Sequence, residues 1–149
     1  MLTREETAAI PAGKELDAAI AEHVLGYIWL HNKRYGMLRP SDEADLIVED
    51  GRSNYGKHPE GHWIGPDDKY STDIAAAWLV VEAMEQMGGF FKLENGAGGN
   101  AKGWRAELLY RGSFYDPHLC PTAPLAICRA ALLALSPAPT SAIEKEKGE

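Results

Sequence analysis

Tyr70-Ser71-Thr72-Asp73-Ile74-Ala75-Ala76-Ala77-Trp78 reads as the opening of a helix with a polar mouth and an apolar body. A hydroxyl at Ser71 or Thr72 can cap it, accepting from a backbone N–H that the first turn leaves without an intrahelical partner. Asp73 falls where the positive end of the helix dipole favours an anion. Ile74, Trp78, Val81 and Met84 recur at helical spacing, which predicts that this face is buried. The helix is expected to run to about Met87, where Gly88-Gly89 stops it. Such a helix is a core element, and its N-terminus is also a place where an anionic ligand can dock.

Upstream, Leu16, Ile20, Val24 and Tyr27 fall on one helical face that Gly26 closes, and Tyr27 to Leu30 starts a short strand. Residues 31–69 are broken repeatedly by glycine and proline. Within them only Asp45-Leu46-Ile47-Val48-Glu49 and His62-Trp63-Ile64 read as strands. So long an irregular segment is either functional or a solvated excursion. Downstream, Phe90 to Glu94 and Gly103 to Arg111 form the arms of a hairpin around the glycine-rich turn 95–100. Trp104, Ala106, Leu108 and Tyr110 share the face expected to cover helices. Thr122 then caps an alanine-rich helix to Leu135, with Pro124 tolerated in its first turn and Leu125, Cys128, Leu132 and Leu135 as its most buried stripe. The expected organisation is a flexible lead-in over 1–12, one domain over 13–135 with a loop-rich insert at 31–69, and a disordered tail over 136–149.

A chain of 149 residues with 45% hydrophobic content can build one core. Its formal charge of −7 argues against binding a nucleic-acid polymer, which needs a dense positive face, but leaves room for a small phosphate-bearing ligand. Cys120 and Cys128 match no zinc or redox spacing, which suits a reduced, cytoplasmic setting. No apolar run approaches the ~20 residues of a membrane span, so no membrane partner is expected.

The order helix, short strands, helix, hairpin, helix predicts an α+β fold: a three-layer α-β-α sandwich around a mostly antiparallel sheet of about four strands. Three segments carry a resemblance. Gly13-Lys14-Glu15-Leu16-Asp17, the Tyr70 to Trp78 stretch, and Thr122-Ala123-Pro124-Leu125-Ala126-Ile127-Cys128-Arg129-Ala130-Ala131-Leu132 together resemble the phage ABA sandwich domain family, between Gly13 and Ala134. The resemblance implies a compact α-β-α sandwich of bacteriophage or prophage origin, inclined to homodimerise. It implies no agreed biochemical activity, so function has to come from the site. Gly65-Pro66-Asp67-Asp68-Lys69 stands where such proteins tend to have a short proline turn, and the insert before it is long.

Three chemistries can be weighed. In a nucleotide site, the Ser71 and Thr72 hydroxyls, the free N–H groups behind them and Arg129 or Arg105 grip phosphate, Asp73 turns to a ribose hydroxyl or caps the helix, and Trp63, Tyr70 or Trp29 stacks on a base. The plainer reading is a capped helix with Arg129 paired to Asp17 or Asp73. In a metal site, His58 and His62 have the i, i+4 spacing of zincins, but Pro59 and Gly61 deny them a shared helical face. For a nucleophile, neither Ser71 nor Ser113 lies in a Gly-x-Ser-x-Gly elbow. The expectation is therefore a non-enzymatic, cofactor-free phage protein in the host cytoplasm that sequesters a nucleotide-derived immune signal, either an ADP-ribose-type or a cyclic nucleotide. This rests on analogy with the small oligomeric sponges that phages make. The alternatives are a structural or interaction protein working through its dimer surface, and a metal-dependent nucleotide hydrolase.

Overall fold

Why the chain folds as it does is clearest at its last helix. In a computed structural model, which describes residues 4–59, 61–96 and 103–135, α5 (Ala123–Leu135) is buried at every position from Ala123 to Leu132 except Arg129. A helix apolar on all sides has to be surrounded. It touches α1 (Arg4–Ala8), α2 (Lys14–His23) and α4 (Ile74–Gln86) on its helical sides, and β6 (Trp104–Tyr110) and β7 (Ser113–Tyr115) on its sheet side. Its alanines let these neighbours come close, and the Thr122 hydroxyl accepts from Leu125 N at 3.4 Å at the expected cap.

The strands form two sheets rather than one of about four strands. β1 (Ile28–His31) and β2 (Gly36–Arg39) pair antiparallel around a short turn, β3 (Asn54–Tyr55) adds antiparallel to β1, and β4 (Trp63–Ile64) adds parallel to β2. The second sheet, β5 (Phe90–Asn95), β6 and β7, is antiparallel throughout, with Phe91 opposite Leu108 and Leu109 opposite Phe114. Ala106, Leu108 and Tyr110 are buried on the expected face, which lies on α5. On the other side α2 meets β2, and α3 (Ser41–Glu49) meets β1. Helices and sheets thus alternate in an α+β sandwich, and the parallel β4 makes its first sheet mixed.

Three local expectations are corrected. Asp45 to Glu49 is not a strand but the body of α3. Asp42 and Glu43 sit in its first turn, where the dipole favours them, and the burial of Ala44 with the half-burial of Ile47 and Val48 follows helical spacing, leaving Leu46 exposed. The lead-in carries the short α1, whose Thr7 is fully buried against the domain. On α4 the buried stripe is Ala76, Ala77, Val80, Val81 and Met84, while Ile74 and Trp78 are half exposed. This face, which includes Ala76 and Ala77, is the one turned to the core, where α4 packs against the alanine-rich α5. The tail from 136 and most of the hairpin turn, 97–102, lie outside the described residues.

Candidate ligand site at the mouth of α4

The turn before α4 sets the site. Thr72 N and Asp73 N both donate to Lys69 O, at 3.2 and 2.9 Å, so the chain makes one tight turn before the helix begins. The helix therefore starts later than expected, at Ile74. Its cap is Asp73, whose carboxylate accepts from Ala75 N at 3.1 Å, and not Ser71 or Thr72.

Ser71 has a different partner. It is fully buried, and both its N–H and its hydroxyl donate to Asp17 Oδ1, at 2.8 and 2.7 Å. Gly13 N in turn donates to Ser71 Oγ at 2.9 Å. The Gly13 to Asp17 and Tyr70 to Asp73 segments are thus clamped together, and Ser71 has no hydroxyl proton left for a phosphate. Tyr70 is fully buried, with its hydroxyl 3.5 Å from that of Tyr27, so it cannot stack on a base. Burial, then the Tyr27 hydroxyl, pushes the Tyr70 hydroxyl far above the usual tyrosine range.

Thr72 alone of the hydroxyl pair faces solvent, at the rim of a cleft of about 730 Å³. Lys14 and Lys69 line it with Thr72, Trp63, Ile64 and Pro66 give it an apolar wall, and Asp17 and Asp67 add carboxylates. Lys14 Nζ lies 3.9 Å from the Trp63 ring centroid and donates to Trp63 O at 2.9 Å, so the cation is held over the aromatic face. Trp63 packs edge-on against Trp29 with centroids 5.3 Å apart. Trp29 is itself buried, its indole N–H donating to Glu22 Oε1 at 3.1 Å, so it is also withdrawn from any ligand. Trp63 is itself buried, so the cleft opens chiefly on the two lysines, the Thr72 hydroxyl and the Asp67 carboxylate.

The two arginines are not brought to this cleft. Arg129 donates from Nε to Ile10 O at 2.9 Å and from Nη1 to Cys120 Sγ at 3.4 Å, tying α5 to the α1–α2 connection and to the segment before α5. It pairs with neither Asp17 nor Asp73. Arg105 grips Asp116 through Nε at 2.7 Å and Nη2 at 2.5 Å, with Glu107 at 3.4 Å. His58 lies against Trp29 and Trp63, and His62 against Tyr35, so the two imidazoles go to different aromatic neighbours. Among the described residues, no three His, Cys, Asp or Glu side chains gather as metal ligands. Sequence reasoning missed Lys14 and Lys69. The signal was there, since Lys14 lies within one segment that carries the resemblance and Lys69 directly precedes another.

No curated protein matches the chain. Among solved structures, a phage protein from Bacillus cereus ATCC 14579 is similar, with 24% identity over 85% of this chain and 94% of that one and a TM-score of 0.50, a likeness of fold. None of the described helices is long and apolar enough to cross a membrane. Residues 18–132, from within α2 to α5, match the phage ABA sandwich domain, and the chain belongs to that family.

Proposed function

We propose that this phage protein binds a small phosphate-bearing, nucleotide-derived signal in the Lys14–Trp63–Thr72 cleft and withholds it from host antiviral signalling without altering it. The observation that carries the reading is the gathering of two exposed lysines and the exposed Thr72 around one opening, with Lys14 held in place over Trp63. Lysine ammonium groups and the Thr72 hydroxyl suit phosphate oxygens, and Asp67 suits a ribose hydroxyl. Arg129 and Arg105 drop out of the ligand set because neither lines this cleft.

Thermal unfolding in the presence of ADP-ribose and of cyclic dinucleotides tests this. A ligand at a hundred times its Kd stabilises the folded state by about 2.7 kcal/mol, which for a chain of this size raises Tm by roughly 5 to 10 °C. Thr72→Ala with Lys69→Ala should remove most of that rise while leaving the unliganded Tm within about 2 °C, because both side chains are exposed. An unchanged Tm across the panel, with no nucleotide released on denaturation, defeats the proposal. Recovery of a cleaved nucleotide would point to hydrolysis instead.

A second reading, an interaction protein with a homodimer surface, is favoured by the outer face of the second sheet. There Phe90, Leu109 and Phe114 stand side by side across the three strands, with Phe90 68% and Phe114 69% exposed. Such a row is an interface signature. On this reading sedimentation equilibrium should give a dimer that Phe90→Lys with Phe114→Lys converts to a folded monomer. A monomer in the unaltered protein rules it out.

A further inference from the structure

We propose a second anion site, for a phosphate or pyrophosphate group, in the cleft of about 650 Å³ between the β1–β2 turn and the α3–β3 connection. The turn contributes Lys33 and Arg34 to its wall, and the connection contributes Arg52 and Ser53. Among the described residues no carboxylate lines it, although the chain carries 22 acidic against 15 basic side chains. A local cluster of one sign against the net charge of the whole molecule focuses potential on the opening.

The donors in the wall are available. Neither Lys33 nor Arg34 forms an ion pair among the described residues, and the Arg52–Asp50 pair, at 3.1 Å, is about two-thirds exposed on both sides, so water screens it. Asn32 Oδ1 accepts from Arg34 N at 2.8 Å and Tyr35 N at 3.1 Å, which leaves the Asn32 amide protons as donors. Ser53 supplies an independent observation. It is 4% exposed, and its Oγ is buried with no hydrogen-bond partner among the described residues. A buried hydroxyl without a partner is uncommon and calls for an explanation. Ser53 is part of the cleft wall, so an oxyanion seated against it would give this hydroxyl an acceptor. Three cations exceed what a single carboxylate neutralises and match a phosphate dianion, which two guanidinium forks can also grip with directed hydrogen bonds. The charge of −7 disfavours a long polyanion, so the group belongs to a small molecule. None of these four residues lines the α4 cleft, so the two sites stand or fall separately.

The test is thermal unfolding of the full chain in millimolar sodium pyrophosphate against sodium chloride of matched ionic strength. Pyrophosphate should raise Tm by several degrees beyond the chloride control. Lys33→Ala with Arg34→Ala should abolish that rise, Arg52→Ala should reduce it, and Thr72→Ala should retain it. Ser53→Ala should lose part of the rise while its unliganded Tm stays level or increases, since alanine removes an unpartnered hydroxyl; a merely structural serine would lower the unliganded Tm. No rise beyond the chloride control, or a full rise in the Lys33→Ala, Arg34→Ala variant, overturns the proposal.

Discussion

Replacing Asp17 with alanine should lower the unfolding free energy by about 2 to 5 kcal/mol, as for two buried donors left without their acceptor. Asp17 is 6% exposed, and one of its oxygens accepts both Ser71 donors at 2.7 to 2.8 Å. Truncation leaves a buried N–H and a buried hydroxyl without that acceptor, each worth about 1 to 3 kcal/mol. Asp17→Asn, which can keep one oxygen in place, should lose only about 1 to 2 kcal/mol, and so should Ser71→Ala, which spares the N–H bond. The double variant should fall short of the sum of the singles, because both act on one network. Urea unfolding at neutral pH measures all four. A loss below about 1 kcal/mol in Asp17→Ala would show that the clamp contributes little. The clamp also fixes the spacing between Lys14 and Thr72, so Asp17→Ala should weaken nucleotide-induced stabilisation even at temperatures where the protein stays folded.

That clamp shows where sequence reading succeeds and where it stops. The Tyr70 to Trp78 stretch was legible as a helix opening, because cap chemistry and apolar spacing are local. The roles within it were not, because they depend on Asp17, which is 54 positions before Ser71. A serine beside a threonine and an aspartate offers three capping side chains, and only the tertiary partner of Ser71 leaves the cap to Asp73. The α4 face was misjudged for a related reason. Ile74 and Trp78 have the larger apolar area, but the face turned to the core is the one with Ala76 and Ala77. At α3 the Leu46-Ile47-Val48 run has a strand's composition, and its helical signal lies in how Ala44 relates to Ile47 and Val48. The existence of the hairpin and of α5 was legible because alternation and a long apolar run are local signals. The expected α5 stripe was too narrow: the helix is buried on all sides to Leu132, and Leu135 is only half-buried. Of the candidate ligand residues, Thr72 and Trp63 line the cleft; the others were drawn into the core, a cap, an ion pair or, for Arg129, bonds to Ile10 O and Cys120 Sγ, none of which a local pattern encodes.

Tyr70 separates a core role from a ligand role most sharply. Tyr70→Ala is expected to cost about 3 to 5 kcal/mol, the range for emptying a buried aromatic site, because the side chain is fully enclosed and is among the largest in the core. Tyr70→Phe should cost about 1 kcal/mol or less, since the hydroxyl contact with Tyr27, at 3.5 Å, is at the outer limit of a hydrogen bond. Alkaline unfolding adds a check with a definite sign. The folded state holds the Tyr70 hydroxyl protonated well above its ordinary value, chiefly through burial. Above about pH 10 the unfolded chain releases this proton and the folded chain keeps it, so stability falls as pH rises, by up to about 1.4 kcal/mol per pH unit. Tyr70→Phe should flatten that part of the stability profile. A residue that stacks on a base at an open site would behave in the opposite way. Its alanine variant would keep near-normal stability, lose ligand-induced stabilisation and leave the alkaline slope unchanged, and that pattern would move Tyr70 out of the core and back to the ligand.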